Sequence, residues 1–393
     1  MVIFHIDVNN AFLSWEAVSR LTEHPGQTDL RTIPSVVGGS EKSRHGIVLA
    51  KSMPAKAFGI KTAETLVEAR KKCPQIKVVP PRHELYKEFS GKLISYLKSL
   101  TPVVEQYSID EAFADMTDAA LLRTHSPVEA AHIVRTEIEQ TFGYTVNIGV
   151  SSNKLLAKMA SDFEKPNKVH SLFPEEIQTK MWCLPVSDLF FVGKASAKKL
   201  YNLGIRTIGE LAAFDREILR SHMGKHGVMI HDYANGIDSS PVLSEQAEAK
   251  GYGNSTTLPH DVTDDAEAKK ILMKLCRSVG GRLQKDTIMA QVISVSIKDS
   301  AFHQVSHQCT MPAANTPTEL YHFACGLFDE LWDGSPIRLL GVATSKLTRE
   351  PARQLNLMDS SDYLKKGKME KAVSQIRKKF GDDAIFRASS LEK

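Results

Sequence analysis

Two apolar, strand-like stretches of this chain carry carboxylates where a folded core should carry none. Residues 2–8 alternate Val2, Phe4 and Ile6 with Ile3, His5 and Asp7, so a short strand closes on an acid. In Tyr107-Ser108-Ile109-Asp110-Glu111-Ala112-Phe113, two adjacent acids stand between apolar residues. Neighbouring side chains on a strand face opposite ways. One of the two acids should therefore point into a cleft, while the other is buried or at an edge. An unpaired buried carboxylate is costly, so a cation should be waiting for it. If the two strands are neighbours, three carboxylates converge.

Bulk properties leave room for such a site. The 393 residues allow two to four domains, and 42% hydrophobic with 24% charged residues is ordinary for a soluble globular protein. No apolar run reaches the length of a membrane span, so no membrane partner is expected. The stretch Met1-Val2-Ile3-Phe4-His5-Ile6-Asp7 lacks a basic leader and reads as a buried strand rather than a secretion signal. The five cysteines (Cys73, Cys183, Cys276, Cys309 and Cys325) form no CxxC pair. That argues against structural zinc and a disulfide framework, and fits a reducing cytoplasm. The net charge of +4 permits a nucleic-acid partner without demanding one.

The periodicities predict an α+β multidomain chain. Helices are expected over 11–22 and 84–100, with a small sheet and attached helices over 34–62. A strand at 146–150 leads into a helix capped by Ser152, with Leu155, Leu156, Met159, Ala160 and Phe163 on one face. Lys165-Pro166-Asn167 marks a domain edge. Residues 170–235 read as helical and 236–250 as a polar linker. Over 251–347, strands at 291–299 and 303–311 and helices at 264–284 and 317–333 suggest a compact α+β domain. Beyond 348 a polar tail with one amphipathic helix near 368–380 is expected. No internal repeat is evident.

Three carboxylates without cysteine suit a hard, oxygen-preferring cation such as magnesium. Two such ions form the usual apparatus for displacement at phosphorus. The surrounding residues sharpen this reading. Asp7-Val8-Asn9-Asn10-Ala11-Phe12, Ser108-Ile109-Asp110-Glu111-Ala112 and Ser152-Asn153-Lys154, followed by Ala157-Lys158 and Lys165-Pro166-Asn167, come in this order. Together they resemble the Y-family of translesion DNA polymerases, most of all its DNA polymerase IV branch, over roughly residues 1–358.

The resemblance implies a right-hand polymerase. Residues 1–10 and 79–166 would be the palm, 11–78 small fingers, 167–235 a helical thumb, 251–347 an α+β little finger and 348–393 a tail. It implies Asp7, Asp110 and Glu111 as catalytic metal ligands, helped by the Val8 carbonyl, with two Mg²⁺ ions that Mn²⁺ could replace. Phe12 would be the steric gate, a flat ring leaving no room for a 2′-hydroxyl. Ala50, Met53 and Lys56 would cover the nucleotide, and Lys165 would contact its triphosphate. Asn9 stands where the family has an acid, which implies weaker metal binding. Met53 and Lys56 stand where many relatives have tyrosine and arginine. Lysine offers phosphate a point charge without a bidentate fork.

For DNA, residues 189–205 resemble a helix-hairpin-helix that gives Gly193, Lys194 and Ser196 to a phosphate, with Phe191 at the place of the first hairpin glycine. Lys298, with Ser294 and Ser296, would contact the duplex from a sheet face. Gln354, Leu355, Leu357 and Met358 resemble a sliding-clamp-binding peptide. The implied protein is a cytoplasmic, monomeric, low-fidelity DNA polymerase that extends a primer from dNTPs past lesions, a mutator. A DNA-binding accessory protein and a palm-type nucleotide cyclase are the other readings of the same acids.

Overall fold

A computed structural model describes residues 1–349 other than 41–43, 45 and 246–247, and beyond these only positions 372, 373, 376, 379 and 384. The chain divides into two compact units, residues 1–41 with 46–246, and residues 42–45 with 247–393.

The first unit is organised by β1 (Ile3–Val8), all six residues of which are buried. The small sheet beside it comprises β2 (Ser35–Gly38), β3 (Val48–Lys51) and β4 (Lys77–Val79), in the order β3-β2-β4. The main sheet adds β5 (Val104–Gln106), β6 (Glu111–Asp115), β7 (Val146–Ser151) and β8 (Val169–Ser171), in the order β5-β6-β1-β7-β8. β1 runs antiparallel to both β6 and β7, with Asp7 opposite Glu111 on one side and Asn147 on the other. The predicted neighbourhood of the two acid-bearing strands is therefore a direct pairing.

Alternation along β1 sorts its side chains. Phe4, Ile6 and Val8 join the large core with Leu13, Trp15 and Ala17 of α1 (Ala11–Glu23), together with residues of α4 (His83–Leu100) and α5 (Pro127–Phe142). Ile3 faces the other way, onto Phe113 and Ala157 of α6 (Lys154–Asp162). His5 and Asp7 share that face. Gly149 on β7 is what lets α6 approach, since a Cβ there would stand 1.9 Å from the Ala157 carbonyl oxygen. The α6 cap is Asn153, whose side chain accepts from Leu156 N, and not the expected Ser152.

The small sheet carries α2 (Met53–Ala57) and α3 (Leu66–Lys72) and has its own core around Val36, Val48, Ile60 and Leu66. A third core unites Leu155, Leu156 and Met159 of α6 with α7 (Lys194–Asn202), α8 (Ile208–Ala213) and α9 (Arg216–Ala234). α1 packs against both sheets: Leu13, Trp15 and Ala17 share one core with Phe4 and Ile6 of β1 and with Val37 of β2 and Ala50 of β3. β8 pairs with β7, so the main sheet extends to Ser171.

The expected linker is also fastened for part of its length. Leu155 N donates to Asp238, Leu243 N to Glu105, and Val242 packs on the Ile3–Phe113–Ala157 cluster. Backbone and side-chain partners replace the freedom that its polar composition suggested.

In the second unit, β9 (Gly251–Val262), β10 (Met289–Asp299), β11 (Gln304–Ala314) and β12 (Ile337–Thr348) form an antiparallel sheet in the order β11-β10-β12-β9. α10 (Asp265–Lys285) and α11 (Pro317–Leu331) cover its apolar face, with Leu272, Val279, Leu283, Leu320 and Phe328 packed on Ile293, Val295 and Leu340. Each such buried side chain contributes about 1.5–3 kcal/mol.

Candidate active site

The strand ends place the acids. Asp7 is the penultimate residue of β1. The stretch from Tyr107 is a tight turn and not a strand: Tyr107 N and Ser108 N both donate to the Glu111 carbonyl, and β6 begins at Glu111. Asp110 therefore escapes strand alternation. Both it and Glu111 line one cleft of about 340 Å³ together with Asp7. The expectation that the two adjacent acids point opposite ways is corrected by this turn.

The expected cations are lysines of the neighbouring helix and its exit. Lys158 Nζ lies 2.9 Å from Glu111, 3.2 Å from Asp162 and 3.8 Å from Asp7. Lys165 pairs with Asp7 and, at 2.8 Å, with Asp162. Burial works against the Lys158 charge, but Asp162, Glu111 and Asp7 outweigh it and raise its pKa. Burial likewise favours a neutral Glu111, yet His5 and Lys158 bring its carboxyl down to about 2. The His5 Nε2 to Glu111 Oε2 separation of 3.8 Å is too long for a hydrogen bond, and Nε2 has no other partner, so Lys158 is the firmer hold.

Asp110 differs. Burial pushes its carboxyl up, the hydrogen bond from Ser108 opposes this, and the charges of Asp7 and Glu111 push it up further. Among the described residues no lysine, arginine or histidine forms an ion pair with it. Asp110 is thus the one of the three carboxylates without an ion-pair partner among the described residues. Among the described residues, no three acidic, histidine or cysteine side chains stand in ready metal-ligand geometry. Glu111 and Asp7 are instead ion-paired with Lys158 and Lys165. The donor set itself, three carboxylates with an uncompensated Asp110, fits a hard divalent cation.

The remaining walls are assembled from the expected residues and from several the sequence reading left without a role. Phe12 borders the cleft and stacks on Tyr86 at 4.5 Å between ring centroids, with an interplanar angle of 11°. The Tyr86 hydroxyl donates to the fully buried Glu16, which Arg82 and Arg20 neutralise. Ala50, Met53 and Lys56 form the opposite wall, joined by Lys51 and Thr62, with Lys51 Nζ 3.0 Å from Thr62 Oγ1. Burial and the nearby Lys56 charge lower the Lys51 pKa.

The sequence motif contains Lys158 without assigning it a role. Its signal was a lysine set among the apolar positions of a short helix. Asn9 does not act as a missing acid. Its side chain donates to Asn147 Oδ1 and accepts from Thr145 Oγ1 and Asn167 N, tying the segment after Pro166 to β1.

The impB/mucB/samB family matches residues 6–162, and its C-terminal domain matches residues 249–357. A DNA polymerase IV of Clostridium acetobutylicum is 47% identical over all of this chain and 98% of its own length. That of Clostridium kluyveri is 37% identical over 100% of the chain and 98% of its length. The chain belongs to the Y-family, in its DNA polymerase IV branch. The DNA polymerase IV 1 of Bacillus subtilis is 34% identical, covering 100% of this chain and 94% of its own. A Y-family DNA polymerase chimera superposes with a TM-score of 0.76 over 89% of this chain and 100% of its own, at 24% identity, which bears on the fold.

Within this Y-family chain, the expected hairpin departs from two full helices. The element before its turn is a single 3₁₀ turn at Val186–Asp188, and Gly193 caps α7 with Lys194 at its first position. Phe191 adopts φ 68°, the left-handed conformation that the expected glycine would take freely. Gly193 and Lys194 are exposed, while Ser196 is half-buried with its hydroxyl 3.1 Å from His226 Nε2. Lys298 lies in the second unit on β10, beside the half-exposed Ser294 and Ser296. Gln354, Leu355, Leu357 and Met358, and most of the expected helix at 368–380, lie outside the described residues. No helix among the described residues is long and apolar enough to cross a membrane.

Proposed function

We propose that this DNA-directed DNA polymerase extends a primer with dNTPs past lesions, at low fidelity, by magnesium-assisted nucleotidyl transfer. The observation that carries the reading is the cleft itself. Asp7, Asp110 and Glu111 border it, Asp110 without an ion-pair partner among the described residues, and Lys51 and Lys56 line the same cleft.

In this reading Asp7, Asp110 and Glu111, with the Val8 carbonyl, hold two Mg²⁺ ions, for which Mn²⁺ can substitute. When bound, these ions lower the pKa of the primer 3′-hydroxyl and neutralise charge on the departing pyrophosphate. Lys158 keeps Glu111 ionised and oriented. Lys165, Lys56 and Lys51 supply positive charge for the triphosphate. Phe12, held flat on Tyr86, meets the sugar and excludes a 2′-hydroxyl. Met53 gives a soft, adaptable wall over the base, and the small fingers built on β2, β3 and β4 leave room for a damaged template.

The remaining roles follow the same plan. Residues 1–10 and 79–166 are the palm, 11–78 the fingers, 167–235 the thumb and 251–347 the little finger. Gly193, Lys194, Ser196 and Lys298 hold the primer-template through its phosphates. The Gln354–Met358 peptide tethers a monomeric enzyme to a sliding clamp.

Primer extension on a templated duplex with MgCl₂, wild type beside Asp110→Ala, tests the core of this reading. Extension by the wild type alone is expected. Extension by both would remove Asp110 from the metal site. Extension by neither would favour an accessory role in DNA binding.

A further inference from the structure

The hairpin contains an anomaly that phosphate binding does not use. Phe191 takes the left-handed backbone conformation, which disfavours a side chain, and 51% of the residue is exposed. A bulky apolar residue that is both strained and open to water needs a reason to be there.

Its neighbours supply one. Phe191 packs its ring against Phe190 at 4.4 Å and Tyr233 at 6.1 Å, and Phe190 in turn meets Tyr107 at 6.1 Å. Tyr107 is itself 43% exposed. It belongs to the tight turn that presents Asp110, and its ring rests on Phe113. A continuous row of rings therefore runs from the catalytic turn to the thumb hairpin, with Phe191 and Tyr107 as its open members. At its hairpin end α7 begins with exposed Lys194, followed by exposed Lys198 and Lys199, and no acid stands in that helix's first turn; Glu105, Glu111 and Lys158 face Tyr107 and Asp238 faces Tyr233.

We infer that Phe191 and Tyr107 form an aromatic platform against which the deoxyribose faces of a bound DNA strand rest, between the hairpin and the catalytic turn. The inference rests on the polymerase reading above. The lysines beside the row favour a polyanion over an acidic or apolar protein partner. The sugars of a duplex strand are the apolar groups exposed next to phosphates, whereas its bases are already stacked and paired. The hairpin thus holds DNA by two different forces. Phosphate contacts weaken with salt because they release counterions. Contact with an aromatic face does not.

That difference makes the test specific. Binding of a fluorescently labelled primer-template is measured by anisotropy across a salt series for wild type, Phe191→Gly, Tyr107→Ser and Lys194→Ala, with a thermal melt of each. Glycine accepts φ 68° without strain, so Phe191→Gly should fold and melt no lower than wild type. It should nevertheless bind DNA about fivefold or more weakly at every salt concentration, with an unchanged salt slope. Tyr107→Ser should behave alike in binding. Lys194→Ala should instead flatten the slope by about one. Phe191→Gly binding as tightly as wild type would overturn the platform and leave the patch to a protein partner. A loss for Phe191→Gly that fades with salt would overturn it too. A wild type that binds no DNA would remove both the platform and the polymerase reading beneath it.

Discussion

The main sheet of the first unit and the sheet of the second use the same alternation for opposite purposes. In β10, Ile293, Val295 and Ile297 turn to the helices while Ser294, Ser296 and Lys298 remain half-exposed. Ser294 and Ser296 sit mid-strand and Lys298 one residue from the strand's end, all three presented by periodicity. In the main sheet both faces are covered, and β1 has no exposed position to offer. Its chemistry is displaced to the strand end at Asp7 and to the turn before β6. A sheet with an open face can afford a spread of modest contacts. A sheet buried on both faces concentrates its charges at one rim, where burial makes each of them strong.

The sharpest way to break this comparison is to remove a rim charge and a face charge and measure the same reaction. Asp110→Ala should lower primer extension by about 10³-fold or more, since metal-centred charge stabilisation is worth several kcal/mol. DNA affinity in the absence of nucleotide should not change. A residual rate within tenfold of wild type would mean that the rim does not hold the reacting centre.

The second test concerns what supports the rim. Gly149 leaves no room for a Cβ against Ala157, so Gly149→Ala must push α6 off the sheet and carry Lys158 with it. A stability loss of about 3 kcal/mol is expected by denaturant titration, with slower synthesis in the fraction that folds. Unchanged stability would show that α6 yields easily and that Lys158 is not fixed by packing.

The same contrast explains what the sequence disclosed. The second unit was legible because its strands and helices have clean periods: the predicted 264–284 and 317–333 helices fall on Asp265–Lys285 and Pro317–Leu331. The three acids were legible from their apolar surroundings. Their arrangement was not, because a turn such as Tyr107–Asp110 depends on Ser108 hydrogen bonds that carry no period. The lysines on Asp7 and Glu111 were invisible for a related reason. They arrive from a helix and its exit, more than 40 residues away in sequence from both acids, and tertiary packing of that helix on β1 and β7, with Gly149 allowing its close approach, brings them in.

Phe12 both packs on Tyr86 and borders the cleft. Phe12→Ala should raise ribonucleotide use relative to deoxyribonucleotide by roughly 10–100-fold, read as the ratio of kcat/KM values. Sugar discrimination that stays at the wild-type level would return Phe12 to a purely packing role.

Lys298 should show the smallest effect, and its smallness is the point. It sits near the end of β10 between Gln304 and Leu339, half-exposed, where a charge acts through water and salt. If it touches one phosphate, Lys298→Ala should weaken primer-template binding only a few-fold and reduce the salt slope by about one. At saturating DNA its extension rate should equal that of wild type, because a face contact contributes to holding the duplex and not to the transition state. A fall in rate that persists at saturation would mean that the face reaches the reacting centre after all. The division of labour between the two sheets would then give way to a single, continuous site.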